Sequence, residues 1–413
     1  MASSEKQKNK LVLNQRQKKL SVILMIGIFF EGFDDALVNI ALPYITADFG
    51  ITTQEVGFSL SIIGMGTLFS FFLVRLADNR GRRPIFLFSI IAYTLCSLIT
   101  AFSPSMNFLV FWQFLARIFL IGCWSLGYVI ISEEFEAHQR GQVSSIFQAG
   151  AVFGALLLSI LLPVLSAFGL NWRVMYVIGA LPLIPVIIFH KWLPETTMFL
   201  NAQKEKEMGI ASEKNNFFEV WKPQYRKYLI IMALVWVFLY FGVKGSLNFF
   251  SLHVVSELGW TSGMVSIALI TQTLAGMVII GLNGKLIDKV GRRKGATIII
   301  VIGSFAAAAL FLLKDFYAIL IMGILSAGFT NSFLMVASTI TNELFPTEVR
   351  ANAMAWSNNI VGRLGQVAVP SVVGFLSVYI SLHYAVAFAV MLPLIAVVLI
   401  LAFIPETKGK LQD

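Results

Sequence analysis

Charge is scarce in this chain: 13% of its 413 residues are Asp, Glu, Lys or Arg, while 57% are hydrophobic. A soluble globule carries charge on about a quarter of its residues, so an aqueous fold is excluded and a bilayer is implied. Cysteine is nearly missing too. Cys96 and Cys123 both sit within apolar runs, which supports neither a disulfide framework nor a metal site. No nucleophile–base set and no metal-ligand spacing appears, so the chain is not expected to be an enzyme, and no cofactor is implied. The apolar runs do not alternate and are about twice the length of a barrel strand, which removes a β-barrel.

Runs of roughly 20 apolar residues, enough to cross about 30 Å of hydrocarbon, lie near 20–45, 55–77, 84–103, 107–131, 141–167 and 173–193. A second set lies near 227–252, 262–285, 295–313, 316–343, 351–379 and 383–403. The expectation is an all-α integral membrane protein with twelve transmembrane helices in two six-helix bundles. The first run is long, contains Glu31, Asp34 and Asp35, and lacks a small-residue cleavage site, so it is expected to remain as helix 1.

The net charge of +9 reports topology rather than nucleic-acid binding. All but five of the 31 Lys and Arg fall at the amino terminus, in the even-to-odd helix loops and in the carboxyl tail. Arg173 and Lys314 lie on the other side; Arg117, Lys244 and Arg363 lie inside helices. By the positive-inside rule both termini are cytoplasmic, with attraction to anionic lipid as a by-product. The polar stretch 194–226 reads as a cytoplasmic linker. The domain plan is therefore a tail at 1–19, a bundle at 20–193, the linker, a bundle at 227–403 and a tail at 404–413. Short external loops fit a bacterial inner membrane, and the expected working unit is a monomer.

The chain repeats itself. Leu76-Ala77-Asp78-Asn79-Arg80-Gly81-Arg82-Arg83 returns 210 residues on as Leu286-Ile287-Asp288-Lys289-Val290-Gly291-Arg292-Arg293. Glu133 and Arg140 align with Glu343 and Arg350 at the same offset, and Pro194-Glu195-Thr196 with Pro405-Glu406-Thr407 at 211. Two six-helix halves permit rocking about a central site.

The repeated loop resembles the signature of the major facilitator superfamily, Gly-x-Leu-Ala-Asp-x-x-Gly-Arg-Arg. The copy from Gly284 to Arg293 is complete, and the first has Val74 where glycine is usual. The resemblance implies that Asp78, Arg82, Asp288 and Arg292 act as gates stabilising the outward-facing state, with Asp78 or Asp288 paired to a helix end or to a basic partner from the other half. Glu133 with Arg140, and Glu343 with Arg350, resemble the family's Glu-x-x-Pro-x-x-x-Arg pattern and are expected to complete that network.

A charge near the bilayer centre is costly unless paired or hydrated, so each such residue is a functional candidate. At about 1.5 Å per residue, Asp34 lies roughly 21 Å along from Leu20, Arg117 roughly 15 Å from Asn107 and Arg363 roughly 18 Å from Ala351, all near mid-membrane. Glu31-Gly32-Phe33-Asp34 resembles the Asp-Gly-Phe-Asp pattern of the aromatic-acid:proton symporters, with Glu31 replacing the first Asp. Asp34 is expected to carry the coupling proton with Arg117 as its partner, and Glu31 or Asp35 can share or take that role. Arg363, in a segment resembling helix 11 of organic-anion carriers, is expected to grip a carboxylate with help from Lys244. Asn359 and Gln366 are expected to share its face, and Tyr240, Lys244 and Asn248 to form a second polar stripe. Gln148 and the aromatic residues Trp124, Tyr128, Phe147, Phe241, Phe329 and Trp356 are further candidates for lining the cavity.

The leading expectation is proton-coupled symport of a small organic anion, an aromatic or heterocyclic carboxylate. The alternatives are sugar or polyol symport, on the strength of Pro-Glu-Thr, then drug export in exchange for protons. A non-transporting receptor on the same fold has no support in the short tails. The partners implied are a small-molecule substrate, protons and the lipid bilayer, without nucleic acid.

Overall fold

The computed structural model describes residues 13–208 and 217–408. The ends of both tails and the middle of the linker lie outside the described residues. The spanning helices are α1 (Gln15–Phe49), α2 (Thr53–Arg80), α3 (Arg82–Thr100), α4 (Met106–Glu134), α5 (Ala137–Ala167) and α6 (Trp172–Trp192) in the first half. The second half holds α7 (Pro223–Ser256), α8 (Ser262–Val290), α9 (Arg292–Leu312), α10 (Phe316–Leu344), α11 (Thr347–Leu376) and α12 (Leu382–Phe403). There is no strand among the described residues. Eleven of these helices are long and apolar enough to cross a membrane; α1, of 35 residues, falls outside that set and carries three carboxylates in its middle.

Helix ends depart from the apolar runs where polar caps extend them. α1 starts at Gln15 rather than at 20 because Asn14 and Gln17 form a reciprocal capping box, the Gln17 N–H donating to Asn14 Oδ1 at 2.8 Å and the Asn14 N–H to Gln17 Oε1 at 3.1 Å. Thr52 and Glu55 do the same for α2. The last helix of each half is interrupted at matching prolines, Pro182 and Pro393, which stand 211 positions apart. Proline removes a helical N–H and clashes with the preceding turn.

The halves pack alike: α1 on α5, α2 on α4 and α3 on α4, mirrored by α7 on α11, α8 on α10 and α9 on α10. Glycines allow the closest crossings. A side chain at Gly154 would meet the Phe33 nitrogen at 2.8 Å, and one at Gly365, its repeat equivalent, would meet the Val237 carbonyl carbon at 2.8 Å.

Residues 13 and 408, the described parts of the linker and the Gly-Arg-Arg loops lie at one end of the molecule, here called the basic end. At the opposite, far end the bundles join through α2–α11, α1–α7 and α5–α8. One apolar core there runs through both halves, from Leu37, Leu158 and Tyr176 to Phe249, Phe311 and Val373. Toward the basic end the core divides, with Leu20, Phe86 and Ile130 in one bundle and Trp236, Ile300 and Phe333 in the other.

Candidate functional site

The helical period of 3.6 residues decides which acid of α1 meets which neighbour. Asp34, 2% exposed, faces the interior of the first bundle and accepts a hydrogen bond from the Ser97 hydroxyl of α3. Gly179 of α6 lies alongside, where an added side chain would stand 3.5 Å from the Asp34 carboxylate. Asp35, about 100° further round, receives the Arg117 guanidinium of α4. The second oxygen of Asp35 stands 4.0 Å from the Lys244 ammonium of α7, so this carboxylate lies between a cation of each bundle. The expected Asp34–Arg117 pair is thus an Asp35–Arg117 pair here. Glu31 is buried one turn earlier.

Beside this pair is a small cavity of about 30 Å³ that opens on solvent. Its lining is Val38, Asn39, Leu60, Ile63, Gly64, Arg117, Lys244, Asn248 and Gln366. Asn39 was not singled out from the sequence, although its position four residues after Asp35 places it on the same face.

Arg363 does not line this cavity. It is 9% exposed, lies beside the Tyr240 hydroxyl, and has no carboxylate within ion-pair distance among the described residues. Its Nε has no hydrogen-bond partner. Residues Ala355–Gly362 just before it are π-helical, a rare geometry that recurs at functional sites. The wider turn breaks the face expected to join Asn359, Arg363 and Gln366. Asn359 is exposed, Gln366 donates to Thr67 of α2 at 3.4 Å, and Asn358 instead accepts from the Tyr240 hydroxyl at 2.9 Å.

Trp124, Tyr128 and Gln148 form a group between α4 and α5: the rings of Trp124 and Tyr128 are 4.9 Å apart, and the Tyr128 hydroxyl donates to Gln148 at 2.7 Å. Trp356 is at the basic end, away from the cavity. It stacks on Phe217 of the linker at 5.1 Å and donates its indole N–H to the Phe217 carbonyl at 3.2 Å. Phe217 also meets Phe71 of α2 at 6.0 Å, with the Arg75 guanidinium over both rings. The linker therefore sets an aromatic side chain between α2 and α11, a role the sequence does not signal.

The repeated basic-end residues form two nearly identical clusters. Arg82 donates to Glu133 at 3.0 Å and stands 3.2 Å from Asp78, and Thr196 donates to Glu133 at 2.6 Å. Arg292 likewise meets Glu343 at 2.6 Å and Asp288 at 2.6 Å, with Thr407 donating to Glu343 at 2.6 Å. Gly81 and Gly291, at φ 101° and 104°, turn the chain so that the backbone N–H groups of Arg82 and Arg292 reach Glu195 and Glu406 at 2.9 and 2.7 Å. Partial burial raises the Glu406 carboxyl, but N–H groups of Arg292, Lys408, Arg293 and Thr407 outweigh this and hold it below its ordinary value. Each cluster stays within its own bundle, and no ion pair at this end joins the bundles among the described residues. Arg140 and Arg350 stand apart from both, donating to the carbonyls of Phe135 and Phe345 at 2.9 and 3.3 Å.

Paired six-helix bundles of spanning helices around a charged centre are the architecture of a membrane transporter. The sequence matches the Major Facilitator Superfamily over residues 24–254 and 237–412, and the chain belongs to that family as a multi-pass membrane transporter. It is 26% identical to the niacin transporter of Acinetobacter baylyi, with 94% of each chain covered. It is 23% identical to a probable 4-methylmuconolactone transporter of Cupriavidus pinatubonensis, covering 95% of this chain and 92% of that one. Its fold superimposes on a solved D-xylose-proton symporter with a TM-score of 0.73 at 18% identity, covering 95% and 99%.

Proposed function

We propose that this transporter carries a small organic anion, an aromatic or heterocyclic carboxylate, together with a proton. The observation that carries the proposal is the charge arrangement at mid-membrane. Arg117 and Lys244 share one carboxylate, and Arg363 is buried with none. A buried unpaired cation is costly, and an anionic cargo offsets that cost. The relatives' named cargoes, niacin and 4-methylmuconolactone, are both ring compounds bearing carboxylate, which agrees with this reading.

In this scheme Asp34 takes the proton, with Glu31, Asp35 and Arg117 completing the coupling group. Lys244 and Arg363 receive the cargo's carboxylate, with Tyr240 between them on α7. Asn359, Gln148, Trp124, Tyr128 and Trp356 are assigned to the path on the basic side. Asp78, Arg82, Glu133 and Arg140, with Asp288, Arg292, Glu343 and Arg350, hold each bundle's basic end in the shape it presents when that end closes. The excess of Lys and Arg there supports a topology with both termini in the cytoplasm of a bacterial inner membrane, and in that topology the present conformation opens inward. The tails, bundles and linker follow the division at 19, 193, 226 and 403, and the chain works as a monomer.

The sugar reading rested on Pro-Glu-Thr. Its glutamates cap α3 and α9 at the basic end, so these residues speak for the scaffold and not for a hexose site. The test is uptake of labelled carboxylates, sugars and organic cations into proteoliposomes with and without an inward proton gradient. Gradient-driven accumulation of a carboxylate is expected; accumulation of a sugar, or of a carboxylate indifferent to the gradient, overturns the proposal.

A further inference from the structure

The cavity between the bundles holds two kinds of polar group on two levels. Asp35 and Lys244 form one level with Arg117. Asn39 and Asn248 each follow one of these by four residues on the same helix, α1 and α7, so the amides stand about 6 Å further toward the far end. Both line the cavity together with Arg117, Lys244 and Gln366. Gln366 is engaged with Thr67, whereas neither Asn39 nor Asn248 has a side-chain hydrogen-bond partner among the described residues. Asn248 is 9% exposed, so little but the cavity is open to it. The remaining walls of the cavity are apolar, from Val38, Leu60 and Ile63, with Gly64 leaving room.

We infer that this site selects monoanions bearing a second, uncharged hydrogen-bonding group across a flat ring, such as a ring nitrogen, carbonyl or hydroxyl, and that Asn39 and Asn248 read that group. The inference rests on the organic-anion reading and refines it. When Glu31 and Asp34 are protonated, Arg117 and Lys244 outnumber the single ionised carboxylate between them, Asp35, which leaves one positive charge for the cargo. The helical offset of about 6 Å is spanned by a benzene ring with a carboxylate at one end and a para hydroxyl at the other, whereas a ring nitrogen stands nearer the carboxylate and needs the amide side chains to lean toward it. A carboxamide both donates and accepts, so it can serve either kind of ring substituent. Sites built to hydrogen-bond a polar group discriminate strongly against an analogue lacking it, because their own buried polar atoms are then left unpaired.

The experiment is competition binding on the purified full-length chain with four probes: benzoate, 4-hydroxybenzoate, pyridine-3-carboxylate and pyridine-3-carboxamide. The wild type is expected to favour the hydroxy acid or the pyridine acid over benzoate by about tenfold or more. In Asn248→Leu and Asn39→Leu that ratio collapses toward one. Where a leucine variant binds no probe, Asn248→Ala or Asn39→Ala, which removes the amide without filling the cavity, supplies the ratio. Equal affinity of the wild type for benzoate and both polar acids overturns the inference, as does a preference that survives at both positions. Failure of the anion reading looks different: the uncharged carboxamide would then bind as well as the carboxylate.

Discussion

The helix pair α2–α11 shows its two ends in opposite conditions. At the far end Gly57 faces Gly374 so closely that an added side-chain carbon would stand 2.7 Å from the Gly374 Cα, and Ser371 donates to the Ser61 hydroxyl at 2.7 Å. At the basic end the same helices are held apart by Phe217, with Phe71 on one side and Trp356 on the other. Backbone contact through glycine is short and dry, whereas an aromatic spacer adds the width of a ring. The two conditions agree with one shared core at the far end and two separate cores at the other. In the proposed transport cycle each bundle would stay rigid while the contact between them changes ends.

The most severe way to break this asymmetry is to fix the far end shut. A Ser61→Cys/Ser371→Cys double variant, oxidised in membranes, is expected to lose transport almost completely and to regain it on reduction. Transport that persists with the crosslink formed would show that this end need not open. The native Cys96 and Cys123 are buried and should not interfere.

Next in size is Asp34→Asn, which removes the acid enclosed by the far-half core of the first bundle. Gradient-driven accumulation should fall by about tenfold or more while counterflow exchange continues. Retained accumulation would move the coupling role to Glu31 or Asp35. A few-fold effect is expected from Phe217→Ala. Without the spacer, spin labels on the basic ends of α2 and α11 should give a larger population at short distance, and an unchanged distribution would deny Phe217 a spacing role.

The smallest expected effect concerns Glu406. Its carboxyl is held below the ordinary value in the folded chain, so its stabilising contribution is full above the unfolded value of about 4.3 and fades as pH falls through the lower folded value. Glu406→Gln should remove this acid-side slope from a thermal-unfolding series and cost about 1 kcal/mol near neutral pH, as lost helix caps do.

Much of the fold was legible in the sequence because bilayer thickness sets the length of each apolar run and the repeat offset pairs the halves. Helix ends were less legible, since Asn14 and Gln17 extend α1 by hydrogen bonding and not by hydropathy. At the site, the residue types at mid-membrane were readable but their partners were not. Asp34 and Asp35 are neighbours in sequence, yet one turns to Ser97 and the other to Arg117 and Lys244. The π-helical segment of α11 shifts the register of Asn359 against Arg363, and no local residue pattern announces it. Nothing near Trp356 in the sequence sets it apart from the cavity aromatics, because the partner that holds it, Phe217, lies 139 residues away in a polar linker.

The Glu195 and Glu406 contacts make each bundle a closed loop of chain, its final residues fastened to the start of its own third helix. The segment 405–407 is thus a buckle and not a dispensable tail. Shortening the protein to end before Pro405 would unfasten the second bundle, whereas an affinity handle placed after Lys408 leaves the fastening whole.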